Sequence, residues 1–217
     1  MGPAVRKIQE NVVNAPRVIT MKFYSSGPPT VVHLRPTMDM TEDKFFRFCQ
    51  LNRDLRIERT AAGELIIMPP TGGETGSRNA AITARLYLWA ERDGTGTVFD
   101  SSSGFRLPNS AVRSPDASWV LNSRLETVPK AKRKKFIPLC PDFVIELRSE
   151  TDRVGQVQAK MREYMEQGAQ LGFLLDPRSR RVHVYRPGRR PEILNDPATV
   201  SGEPLLPGFR LDLREVW

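Results

Sequence analysis

Glu146 stands inside an apolar run, Phe143-Val144-Ile145-Glu146-Leu147, bounded by Pro141-Asp142 on one side and Arg148-Ser149 on the other. Such a run reads as a buried strand. Alternation along it places Asp142, Val144, Glu146 and Arg148 on one face and Phe143, Ile145 and Leu147 on the other. A carboxylate in that setting is costly unless it is paired or holds a cation. Three things can compensate it: the neighbouring Arg148, a metal ion, or a site shared with a second acidic strand start, Ser114-Pro115-Asp116-Ala117-Ser118-Trp119-Val120.

Two carboxylates on adjacent strands with a cationic side chain beside them are the minimal equipment for hydrolysing a phosphodiester. That reaction needs a hard cation on the phosphate, an activated water and a stabilised leaving oxygen. Mg²⁺ suits the donor set, since one or two carboxylates plus waters and substrate oxygens hold it; Mn²⁺ is the natural substitute. Asp116 and Glu146 supply the carboxylates if their strands are neighbours. Two residues compete for the cationic role. Arg148 shares the face of Glu146, whereas Lys160 lies on the following helix beside a stripe of Val154, Val157, Met161 and Tyr164. Lysine has an adjustable protonation state and arginine does not. Lys160 is therefore favoured for the water, with Arg148 as a partner of Glu146 or of the phosphate. Glu74, at the start of a long helix, has two readings: a carboxylate favoured by the helix dipole, which is preferred, or a third metal ligand. A plainer account competes with the whole constellation. Asp116 and Asp142 both follow proline at strand starts, where aspartate serves turns, and Glu146 with Arg148 can be a structural ion pair.

The elements that must position these residues follow from periodicity and punctuation. Residues 1–28 read as a flexible tail, and 29–217 as a single domain. A short strand is expected at 30–35. A helix follows with Thr41 as its N-cap, Glu42 and Asp43 in its first turn, and Phe45, Phe48, Cys49 and Leu51 as its stripe. Residues 55–59 and 64–68 read as a β-hairpin, and 75–92 as a long helix with Ile82, Leu86 and Trp89 on one face. Strands are expected at 97–100, 104–107 and 114–120. Residues 122–136 read as helical but interrupted by Pro129, and carry Lys130, Lys132, Arg133, Lys134 and Lys135, a solvated face or a contact to a phosphate backbone. After the Glu146 strand, Ser149-Glu150-Thr151-Asp152 reads as a cap for a helix running to about 167, with Gly168 as its C′ residue. Strands at 171–176, 181–186 and 191–194 come next, and the tail 205–217 is apolar enough to pack back.

Composition narrows the partners. The chain has 217 residues and a formal net charge of +8, which makes an anionic partner plausible without naming it, since many basic proteins have no nucleic-acid role. Cys49 and Cys140 are its two cysteines, without CxxC or Cys/His spacing; this argues against a zinc module and a disulfide scaffold. His33 and His183 form no catalytic dyad. No apolar run is long enough for a membrane span and no signal-peptide segment is visible, so a cytoplasmic location is expected.

Taken together, Arg113-Ser114-Pro115-Asp116-Ala117-Ser118-Trp119-Val120, Pro141-Asp142-Phe143-Val144-Ile145-Glu146-Leu147-Arg148-Ser149, Lys160-Met161-Arg162-Glu163-Tyr164 and Gly172-Phe173-Leu174-Leu175-Asp176-Pro177 resemble the Uma2-type restriction endonuclease family of the PD-(D/E)XK nuclease superfamily. The resemblance runs from about residue 40 to the C-terminus. It implies an α/β (α+β) fold of the restriction-endonuclease type: a central mixed β-sheet flanked by helices, here with an N-terminal helix and β-hairpin. It also implies Mg²⁺-dependent DNA cleavage, with Asp116 and Glu146 matching the acidic metal ligands and Lys160 the catalytic lysine. In the wider superfamily a lysine stands two residues after the glutamate, where this chain has Arg148; that departure leaves the cation's identity open. Glu74 can serve as the superfamily's upstream acidic residue. A homodimer suits cutting two antiparallel strands. The competing function is a non-catalytic nucleic-acid-binding or accessory protein that retains the nuclease fold.

Overall fold

The computed structural model describes residues 4–10, 17–23, 28–35 and 38–217. In chain order its elements are β1 (Ala4–Glu10), β2 (Arg17–Phe23), β3 (Thr30–Val32), α1 (Glu42–Leu51), β4 (Arg56–Arg59), β5 (Leu65–Met68), α2 (Gly73–Asp93), β6 (Gly96–Asp100), β7 (Phe105–Arg106), β8 (Val112–Arg113), β9 (Ala117–Leu121), α3 (Asn122–Glu126), α4 (Lys130–Arg133), β10 (Phe143–Leu147), α5 (Val154–Glu166), β11 (Leu171–Asp176), β12 (Arg181–Tyr185), β13 (Glu192–Asn195), β14 (Thr199–Ser201) and β15 (Arg210–Asp212). They fall into two compact units, residues 1–70 with 110–112, and residues 71–109 with 113–217.

In the first unit, β1 and β2 pair antiparallel from Ala4 opposite Phe23 to Glu10 opposite Arg17. These two strands lie within the segment expected as a tail. The order β3-β5-β4 is antiparallel throughout, and the β4–β5 hairpin closes at Gly63, whose φ of +88° suits a residue without a Cβ. Thr41 caps α1 by accepting a hydrogen bond from the Lys44 amide, and Phe45 and Phe48 are its buried residues. Arg59 is buried, donates to the Met40 and Ser110 carbonyls, and stacks 5.0 Å from the Phe45 ring centre.

The second unit is built on a six-stranded sheet of order β13-β12-β11-β10-β9-β6. All its pairs are antiparallel except β10–β11. Parallel neighbours need a crossover, and α5 is that crossover. Every residue of β10 and β11 is buried, which explains why both read as unbroken apolar runs. The alternation anticipated for β10 is observed. Phe143, Ile145 and Leu147 join a core with Ile82, Leu86 and Ala90 of α2, while the opposite face receives α5.

Two glycines make room for side chains against the sheet, Gly172 for those of α5 and Gly96 for the indole of its neighbouring strand β9. A Cβ on Gly172 of β11 would stand 2.5 Å from the Met161 Cε and 3.2 Å from Val144 Cγ2, so its absence lets α5 lie close on the sheet. A Cβ on Gly96 of β6 would fall 2.1 Å from the Trp119 ring.

α2 ends at Gly94 in the left-handed region (φ +72°), and α5 is followed by Gly168 at φ +114°. Pro129 separates α3 from α4, as its missing amide requires. The C-terminal segment packs back: Leu206, Phe209, Leu211, Leu213 and Val216 enter the core, and β14 pairs with β15. One detail differs from expectation. The 149–152 turn does not cap α5; Asp152 instead accepts from the Ser149 amide at 2.8 Å, and α5 starts after Arg153 without a side-chain cap. Its aspartate is spent on closing its own turn.

Candidate active site

β9 and β10 are antiparallel neighbours, with Ile145 opposite Ala117. Continuing that register by one residue sets Asp116 across from Glu146. Pro115 and Asp116 precede the first residue of β9, and there the Asp116 side chain turns to its neighbour: Oδ2 accepts from the Leu147 amide at 2.8 Å. Both carboxylates are buried, at 7% and 5% exposure, so each needs a compensating partner.

For Glu146 the partners come from α5. Lys160 Nζ lies 2.8 Å from Glu146 Oε1, and the Tyr164 hydroxyl donates to the same oxygen at 3.0 Å. Residues 160 and 164 are one helical turn apart and project onto the same patch of sheet. The lysine therefore reaches the strand carboxylate from the following helix, as its place beside the buried stripe suggested. Tyr164 is fully buried; read as a stripe residue, it was not singled out for the site. Its signal was the hydroxyl, because a tyrosine buried on an apolar stripe needs a partner for its O–H.

Arg148 does not meet Glu146. Its guanidinium pairs with Asp176 Oδ2 at 2.9 Å and donates to the Asp152 carbonyl, tying the end of β10 to the end of β11. Burial alone would raise the Asp176 carboxyl; the Ser179 hydroxyl and the Arg148 guanidinium outweigh it and hold the pKa below the usual aspartate value. Nearby His183 is pushed the other way from a cation's needs: burial holds its pKa below the ordinary imidazole value. Glu74 sits in the first turn of α2 with its side chain 85% exposed, 3.7 Å from Arg78. Among the described residues no three His, Cys, Asp or Glu side chains cluster, so Glu74 is not brought to Asp116 and Glu146. The basic stretch 130–135 is mostly exposed, with Arg133 folded onto the Val128 carbonyl at 2.7 Å.

The donor chemistry suits a hard divalent cation: two carboxylates on facing strand positions, with no cysteine or histidine grouped with them among the described residues. One further group belongs to this neighbourhood. Asn79 of α2 lies with Nδ2 3.4 Å from Asp116 Oδ1, and its own Oδ1 is buried without a hydrogen-bond partner. Asp116 and Glu146 would hold such a cation, and the unmet acceptor of Asn79 is a further hard oxygen in the same neighbourhood.

The fold has a counterpart of known structure. A crystal structure from Anabaena variabilis ATCC 29413, described as "a putative nuclease belonging to DUF820", superposes with a TM-score of 0.62 at 19% sequence identity, over 74% of this chain and 88% of that one. No curated protein matches the chain. The model of the Uma2 family, described as "Putative restriction endonuclease", matches residues 42–214. With its mixed sheet, flanking helices and that match over most of its length, the chain belongs to the Uma2 family of nucleases.

Proposed function

We propose that this protein is a Mg²⁺-dependent endonuclease that hydrolyses phosphodiester bonds of DNA. The observation that carries the reading is the Lys160–Glu146 contact of 2.8 Å at the strand position facing Asp116. Asp116 and Glu146 would hold the cation, which supplies neutralisation of the phosphate and a more acidic water. Lys160 is placed at the carboxylate edge, where its ammonium orients a water against the phosphorus and offsets charge on the phosphoryl oxygens. Tyr164 fixes the Glu146 carboxylate in one orientation. Arg148, engaged by Asp176, acts on the architecture of the strand ends and leaves the cationic role to Lys160. A two-fold pair of such sites would cut both strands of a duplex.

The test is nicking of supercoiled plasmid by purified protein in Mg²⁺, Mn²⁺ or EDTA, beside Glu146→Ala. Metal-dependent cleavage that the variant loses supports the reading. Binding of DNA without cleavage and without any effect of metal would replace it with the accessory-protein reading.

A further inference from the structure

The sheet-facing row of α2 contains Ile82, Leu86 and Ala90. Asn79, three residues before Ile82, continues that row beyond the apolar core to the strand end where Asp116 sits. Its carboxamide is poorly served there. Nδ2 is 3.4 Å from Asp116 Oδ1, outside the roughly 2.7–3.2 Å range of a good N–H···O bond. Oδ1 is buried and has no donor, a condition that native interiors rarely tolerate. Asp116 is the acceptor in its contacts with both Asn79 Nδ2 and the Leu147 amide. A residue serving merely as a prop for Asp116 would leave this oxygen without a use. A cation on Asp116 gives it one.

We propose that Asn79 supplies a neutral oxygen ligand to the divalent cation held by Asp116 and Glu146. The inference rests on the nuclease reading and extends it from the two strands to α2. A carboxamide adds a hard oxygen without adding a third negative charge beside two buried carboxylates, which keeps the cation-free site from repelling itself.

The experiment is Mn²⁺ binding without nucleic acid, read from the electron paramagnetic resonance signal of the free ion. Wild type, Asp116→Ala, Asn79→Ala and Asn79→Asp are compared, together with their melting temperatures in EDTA. Asp116→Ala is expected to lose the ion, and Asn79→Ala to bind it about tenfold or more weakly. Asn79→Asp, nearly isosteric, is expected to bind at least as tightly as wild type and to melt lower in EDTA, where three carboxylates face one another. Wild-type affinity in Asn79→Ala with loss in Asp116→Ala would overturn the Asn79 assignment and leave the nuclease reading standing. Should Asn79→Ala fail to fold, weakened binding by Asn79→Asp would overturn it equally. If Asp116→Ala binds Mn²⁺ like wild type, the metal-site reading falls, and this inference with it.

Discussion

Glu146 shows how one buried carboxylate organises its surroundings. Its Oε1 receives both the Lys160 ammonium and the Tyr164 hydroxyl, so two residues of one helical turn fix the direction of a side chain on a strand. The roles of these two donors separate on substitution. Tyr164→Phe keeps the ring and removes only the hydroxyl. It is expected to lower unfolding free energy by about 1 kcal/mol, the usual net worth of such a bond, when followed by urea unfolding at neutral pH. Plasmid nicking should fall about tenfold or more, as happens when a partner that orients a metal-binding group is lost. Unchanged nicking with the stability loss present would show that the Tyr164 hydroxyl is not what holds Glu146 in place. The sequence made Glu146 and Asp116 visible because buried acidic residues on strands are conspicuous. It made Lys160 visible because a lysine beside an apolar stripe has only a few places to reach. Asn79 and Tyr164 were harder to see: an asparagine near a helix start and a tyrosine on a stripe have common structural uses, and only coordinates show where their polar atoms end.

At the scale of elements, periodicity carried most of the fold. The alternation in β10, the Thr41 cap, the β4–β5 hairpin and the break at Pro129 were all legible, since each rests on local backbone or burial physics. The order β13-β12-β11-β10-β9-β6 was not, because register between distant strands depends on side chains that meet only after folding. The β14–β15 pair was missed for a related reason: three-residue strands leave too short a pattern to read. The room these glycines leave yields a test. Gly96→Ala puts a methyl into the ring of buried Trp119, which is itself 5.9 Å from Trp89. A rigid indole cannot yield as a methionine end can, so a loss of about 2–3 kcal/mol is expected, against about 1–2 kcal/mol for Gly172→Ala, where the two nearest atoms are the flexible ends of Met161 and Met165 and Val144 Cγ2 follows at 3.2 Å. Thermal melts of the two variants side by side check the ranking. The strand ends offer a second test, through pH. The Asp176 pKa is lower in the folded protein than the ordinary aspartate value, which is about 3.9. Its contribution is therefore fully present above that value and lost as pH falls through the lower, folded one. Melting temperature should drop on acidification below about pH 4, and Asp176→Asn should flatten that part of the curve. An equally steep drop in the variant would assign acid sensitivity to other carboxylates.

For the molecule as a whole the governing quantity is charge. Thirty-three lysines and arginines against 25 acidic residues give +8, and a polyanion is the partner that such an excess attracts most strongly. Net charge by itself does not say where the contact lies. Lys130, Lys132 and Lys134 are exposed on and next to the short helix α4, and none of them has a role in the proposed chemistry. If they grip the phosphate backbone, their removal must act on the salt dependence of binding and leave the chemistry alone. Each phosphate contact contributes roughly 0.9 to the slope of log affinity against log salt on duplex DNA. Replacing the three lysines by glutamine takes the formal charge from +8 to +5, three charges fewer. The expected outcome, measured by fluorescence anisotropy of a labelled duplex across a salt series, is a slope shallower by up to about three such contacts. Nicking at saturating DNA and low salt should be unchanged. Wild-type slope in the triple variant would place the grip on another basic surface of the protein. A shallower slope accompanied by lost cleavage would mean that the stretch also positions the scissile phosphate at Lys160.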